Sequence, residues 1–140
     1  MLKTLRYILC CHVVLVFLFS SCDGARMRQE LNRIDSLNMA RVNLDTITKM
    51  DEVVRYFDNY GTSNERMLAH YLHGRVAADR NDIPRALRYY RDAVACADTT
   101  ESDCNYAKMS RIYGQMANLF HQQRAPRLEL DAEQKAVYYA

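Results

Sequence analysis

From Met27 onward, apolar residues recur at intervals of three and four. Met27, Leu31, Ile34 and Leu37 form one stripe, and Ile47, Met50, Val54 and Phe57 form a second. That spacing follows the turn of an α-helix, and no segment alternates apolar and polar residues as a half-buried strand does. The chain is therefore expected to be all-α. Local signals divide it further. Asn59-Tyr60-Gly61 closes the second helix, with Gly61 expected in a left-handed cap. Thr62-Ser63-Asn64-Glu65 has the capping-box pattern that opens a third helix, running to about Arg80. Asn81-Asp82 then turns the chain tightly. Pro84 suits the first turn of a fourth helix, where its missing N–H costs little, and that helix runs to about Ala97. Asp103 is placed to cap a fifth helix reaching about Gln123. Arg124-Ala125-Pro126 breaks it, and a sixth begins near Arg127. The expectation is about six helices in three antiparallel hairpins.

Small residues sharpen the central pair. Gly74 and Ala77 fall on one face of the third helix. Twelve residues after Gly74 comes Ala86, followed by Tyr90 and Ala93. Small side chains at 74 and 86 suit a close approach of the two helices, with Tyr90 filling the space one turn later. The run Asn81-Asp82-Ile83-Pro84-Arg85-Ala86-Leu87-Arg88-Tyr89-Tyr90-Arg91-Asp92-Ala93-Val94 resembles the second half of a tetratricopeptide repeat (TPR). In the following hairpin Tyr113, Met116, Ala117 and Phe120 keep the first-helix pattern. Its second helix has Glu129 where a small residue belongs, although Ala136 is in place. In the preceding pair, Val53, Val54, Tyr56 and Phe57 retain a degenerate second helix. The resemblance covers about residues 50 to 140 and implies a TPR-like α-solenoid of antiparallel hairpins, a non-catalytic architecture for binding proteins.

The N-terminus has a different character. Lys3 and Arg6 precede the apolar run Tyr7 to Phe19, about 13 residues. As a helix that is roughly 20 Å, short of a hydrocarbon core of about 30 Å, so it suits the core of a signal peptide better than a membrane span. Ser20-Ser21-Cys22 comes next, which resembles the lipobox of bacterial lipoproteins. The resemblance implies cleavage before Cys22 and acylation of its thiol, as by palmitate. An ordinary signal peptide and an uncleaved anchor are the competing readings. The expected division is a signal peptide over 1–21, a degenerate helical hairpin over 22–62 and two TPR-like hairpins over 63–140. Asp23 resembles the inner-membrane retention signal of enteric lipoproteins, and Gly24-Ala25-Arg26-Met27-Arg28 lacks the acidic run associated with surface export. A tethered, periplasm-facing protein of the cell envelope is expected. More narrowly, the stretch Asn64-Glu65-Arg66-Met67-Leu68-Ala69-His70-Tyr71-Leu72-His73-Gly74-Arg75, with the later Ala97-Asp98-Thr99-Thr100, is similar to TPR lipoproteins of Gram-negative gut anaerobes. Longer relatives of that kind carry more repeats, a second span and a regulatory domain. A truncated fragment of such a sensor is therefore the alternative to a self-sufficient scaffold.

Charge and cysteine use narrow the partners. The formal net charge is +2, and setting aside Lys3 and Arg6 from the 19 basic residues leaves as many as the 17 acidic ones. Nucleic acid is not an expected partner. Arg66, Arg75, Arg80, Arg85, Arg88 and Arg91 crowd one stretch, which suits a solvated helical surface. Past Cys22 only Cys96 and Cys104 remain, separated by a loop-like segment. In an exported protein they either bridge or stay as two thiols, and both readings stand open.

Catalysis finds no footing. His70 and His73 stand three apart on one helix, but no third metal ligand accompanies them, and packing is the expected role. No Gly-rich phosphate loop and no nucleophile–base pattern is visible. No metal or cofactor is expected. Binding is different. In repeats of this kind the first helix of each hairpin lines a concave face. The resemblance thus implies a groove formed by Leu68, Tyr71, Arg75 and Asp79, then Arg111, Gly114, Gln115, Asn118, His121 and Gln122. Its Arg and Asn residues would suit an acidic or C-terminal carboxylate of a peptide or protein partner, with simple solvation as the competing reading. At the C-terminal helix, Leu128, Leu130, Val137, Tyr138 and Tyr139 are expected to be partly bare, favouring weak self-association.

Overall fold

The computed structural model describes residues 23–140. The expected signal peptide and Cys22 lie outside the described residues. Within them the chain forms six helices and no strand: α1 (23–39), α2 (Met50–Tyr60), α3 (Ser63–Asp79), α4 (Ile83–Ala95), α5 (Tyr106–Gln122) and α6 (Pro126–Tyr138).

The helices alternate in direction. α3 packs along α4 and α5 along α6, while α2 packs on α3 and α4 on α5. α1 runs parallel to α3. Near its start Arg28 meets Glu65 at 2.7 Å, and near its end Asn38 meets Tyr71 and Arg75. One continuous apolar cluster runs from Met27 on α1 to Ala132 on α6. Phe57, Met67, Leu72, Tyr90 and Ile112 are fully buried within it.

The starts of α3, α4 and α5 follow from side-chain capping. Thr62 accepts from the Glu65 N–H while the Glu65 carboxylate accepts from the Thr62 N–H, a complete capping box. Asp82 caps α4 through the Arg85 N–H. α5 is capped by Asn105, which accepts from the Lys108 N–H, rather than by Asp103. Asn64 explains the shift. Its side chain donates to the Asp103 carbonyl at 2.9 Å and accepts from the Asn105 N–H at 3.1 Å, which fixes the cap two residues later.

The three helices α1, α3 and α5 close alike. Arg41, Asn81 and Arg124 take φ of 58°, 60° and 53°. In each case the next residue's N–H reaches five residues back: Val42 to Leu37, Asp82 to Ala77, Ala125 to Phe120. This is the Schellman closure, here without glycine at the left-handed position. Gly61, expected in such a role, is extended at φ −88° and ψ 156°. Glycine is required there for space instead, because a Cβ would lie 2.7 Å from the Phe57 carbonyl oxygen.

At Gly74 it is the ring of Tyr90 that requires glycine: a Cβ there would overlap Cδ1 and Cε1 of that ring. Tyr90 is wholly buried and stacks on Tyr71, with centroids 6.0 Å apart.

Candidate functional site

Four of the expected groove residues converge. Tyr71 and Arg75 on α3, with Arg111 and Gln115 on α5, line a cavity of about 470 Å³. Its remaining wall is the end of α1 and the turn after it, contributing Asn38, Met39 and Arg41. Those three were not legible in the sequence. The first hairpin carries little of the repeat pattern, so nothing there pointed to its last turn.

Arg75 is the hub. Its Nε donates to Asn38 Oδ1 at 3.2 Å, Nη1 to Gln115 Oε1 at 2.7 Å and Nη2 to Asp79 Oδ1 at 3.1 Å. One guanidinium thereby ties together α1, α3 and α5, using the fixed fork of donors that a Lys could not offer. Asp79 is not in the cavity wall. Its other oxygen accepts from the Leu44 N–H at 2.8 Å and so pins the connection between α1 and α2.

Beside this hub α1 reaches across α3 to touch α5. Asp35 lies 3.6 Å from Lys108, whose ammonium sits 5.2 Å above the Tyr71 ring. Burial pulls the Lys108 pKa down, against the opposing pull of Asp35. The covering leaves Tyr71 only 2% exposed, so it forms the floor of the cavity.

The other expected residues fall outside. Leu68 is half-buried against the core. At Gly114 a Cβ would meet nothing within 4 Å. Asn118, His121 and Gln122 are exposed, and His121 points toward α6, with Nδ1 2.8 Å from Glu129. The surface they belong to is therefore not part of the cavity.

Two guanidiniums at the cavity, those of Arg41 and Arg111, make no ion pair among the described residues, and no carboxylate lines it. Arg111 rests instead on Met39, its Nη1 2.8 Å from the sulfur. The cavity thus presents positive charge on a partly apolar, partly amide wall, which suits an anion.

His70 and His73 pack between α2 and α4. His70 Nε2 is 2.8 Å from Asp58, and the His73 ring stacks on Tyr89 with centroids 3.7 Å apart. Among the described residues no three potential ligands cluster as a metal site. Cys96 and Cys104 are two free thiols, and the Cys104 sulfur lies 4.0 Å from that of Met109. Burial raises the pKa of both, which keeps them protonated and weakly nucleophilic. Comparison with family models, with curated proteins and with solved structures finds no match to the chain.

Proposed function

We propose that this chain is a membrane-tethered, non-catalytic lipoprotein with a TPR-like arrangement of helical hairpins. Its cavity at the end of α1 binds a carboxylate-bearing segment of a partner protein. One observation carries the reading: side chains from α1, α3 and α5 converge on a cavity of about 470 Å³ with three guanidiniums and no carboxylate in its wall. Arg75 is committed to its neighbours, which leaves Arg41 and Arg111 to meet the ligand by charge-assisted hydrogen bonds. A peptide terminus fits such a volume better than a folded surface does.

The TPR likeness rests on parallel first helices, shorter second helices and the Gly74–Tyr90 contact. The unit here is longer than the repeat's period of about 34 residues. First helices end at residues 39, 79 and 122, and the excess lies in the connections 40–49 and 96–105.

Two experiments test this reading. Radiolabelled palmitate should enter the wild-type chain and not Cys22→Ser, and equal labelling would remove the anchor. A fluorescent peptide with acidic residues and a free C-terminal carboxylate should bind more tightly than its amidated form. Arg111→Ala should weaken that binding by roughly tenfold, the worth of one charge-assisted hydrogen bond, and salt should weaken it too. Equal affinity for the acid and the amide would overturn the carboxylate assignment.

A further inference from the structure

The alternation of helix direction sorts the molecule into two ends. One end gathers the starts of α1, α3 and α5 with the last turns of α2, α4 and α6. Contacts fix this: Gly24 lies beside the Tyr56 hydroxyl, the Ser110 hydroxyl donates to the Ala136 carbonyl, and Tyr106 stacks on Tyr139 at 6.2 Å. Asn64 joins the starts of α3 and α5.

Among the described residues, exposed tyrosine is confined to that end. Tyr60 at 72%, Tyr106 at 43% and Tyr138 at 80% exposure all belong to it, as does Val137 at 77%. Tyrosines elsewhere among the described residues are at least half-covered, as Tyr71, Tyr89, Tyr90 and Tyr113 are. The bare rings are supported from beneath. Tyr60 leans on Tyr56, and Tyr138 packs edge-on against Tyr139, itself stacked on Tyr113. Beside Tyr56 and Tyr60, Arg26, Arg55 and Asp23 help to line an open hollow of about 510 Å³.

This is also the end at which the chain enters. α1 is already helical at residue 23, immediately after Cys22, with no linker between them. On the reading that Cys22 is acylated, the acyl chains emerge at the tyrosine end, and a helix without slack holds that end against the lipid.

We infer that this tyrosine-bearing end is a membrane-contact surface that seats the domain upright on the lipid interface. Tyrosine suits that layer because its ring is apolar and its hydroxyl stays wet. The contact is aromatic rather than electrostatic, since Asp98, Glu101 and Asp103 in the loop at the same end offset the charge of Arg26 and Arg55. Arg41 and the carboxylate cavity lie at the other end of α1, which spans residues 23–39. At a rise of about 1.5 Å per residue the cavity stands roughly 25 Å above the interface, facing the compartment rather than the lipid.

Hydroxyl-radical footprinting of the full chain in phosphatidylcholine vesicles tests this. Each side chain is read as its oxidation rate in urea divided by its rate on the vesicle. Tyr60, Tyr106 and Tyr138 should be protected several-fold more than Met39, Leu128 and Leu130, which sit at the far end at 56%, 52% and 55% exposure. Tyr60→Asp with Tyr138→Asp should restore reactivity at Tyr106 and leave the far end unchanged. Adding phosphatidylglycerol should not increase the protection. Three results would overturn the inference: near-end tyrosines as reactive as the far end, protection that grows with phosphatidylglycerol, or protection without lipid that fades on dilution, which assigns the surface to a second copy. The mass of the Cys22 peptide, read in the same digest, decides acylation separately from the surface.

Discussion

Gly74→Ala should destabilise the fold, although alanine is the better helix former. In mid-helix the exchange of glycine for alanine favours folding by about 0.5–1 kcal/mol. Against that stands the Tyr90 ring, two of whose carbons the new Cβ overlaps, with Cγ at 3.2 Å from it. Relief requires the ring to move, and it cannot move freely. Tyr90 is 0% exposed, stacks on Tyr71, and Tyr71 is itself held beneath Asn38 and Lys108. Overpacking of this kind costs about 1–3 kcal/mol, and the depth of overlap puts it at the upper end. The net expectation is a loss of about 1–2 kcal/mol, or roughly 4–10 °C in melting temperature for a domain of this size. Gly114 supplies the control within the same fold. A Cβ there meets nothing within 4 Å, so Gly114→Ala should raise stability by about 0.5–1 kcal/mol. Urea melts of both variants decide the matter. A Gly74→Ala protein as stable as wild type would refute the packing argument, and equal shifts at both glycines would refute its specificity.

Thr62→Ala should lower stability by about 1 kcal/mol, because it removes one half of the capping box that opens α3; an unchanged urea midpoint would rule that contribution out. His73 has its pKa pulled down from the usual 6.5 by burial, with Asp51 opposing and His70, Arg88 and Arg80 adding to the shift. The unfolded chain therefore takes up the proton first, so stability is full above about pH 6.5 and falls as pH drops below it. His73→Gln should flatten the urea midpoint between pH 7 and 5, and a slope equal to wild type would exclude the group. The exposed Leu128 and Leu130 on α6 should support weak dimers of the soluble region in sedimentation, dispersed by Leu130→Glu; a monomer at all concentrations would refute this.

The helices were legible because their signals are local. Apolar spacing, the Thr62–Glu65 pair, Pro84 and the 124–126 break depend on neighbours a few residues apart. What escaped was decided by distant partners. Asp103 is as good a cap as Asn105 by type, and only the reach of Asn64 across some forty residues selects the latter. Gly61 matched a left-handed cap by position, but the Phe57 side chain and carbonyl set its role. The candidate site divides the same way. Tyr71, Arg75, Arg111 and Gln115 followed from helix register once the repeat pattern was seen. The last turn of α1 did not, because it joins the site by packing on α3 and reaching α5, which nothing in its own sequence signals.

Arg41 joins backbone strain to the candidate site. A non-glycine residue in the left-handed region costs roughly 1 kcal/mol, and Arg has no local hydrogen bond to offset it as Asn81 can. The equivalent turn of α5 carries Arg124, exposed and outside the cavity, with the same backbone geometry. Glycine at either position should therefore stabilise the fold by a similar amount, about 0.5–1 kcal/mol, since only the backbone penalty is relieved. The two changes separate in binding. Arg41 stands in the cavity wall without a carboxylate partner, so Arg41→Gly should weaken the acidic peptide while Arg124→Gly leaves its affinity as in wild type. A strained residue that weakens the fold and strengthens the ligand contact is strain placed at the site of use. Equal binding by the two variants would mean that the strain at Arg41 serves only the turn.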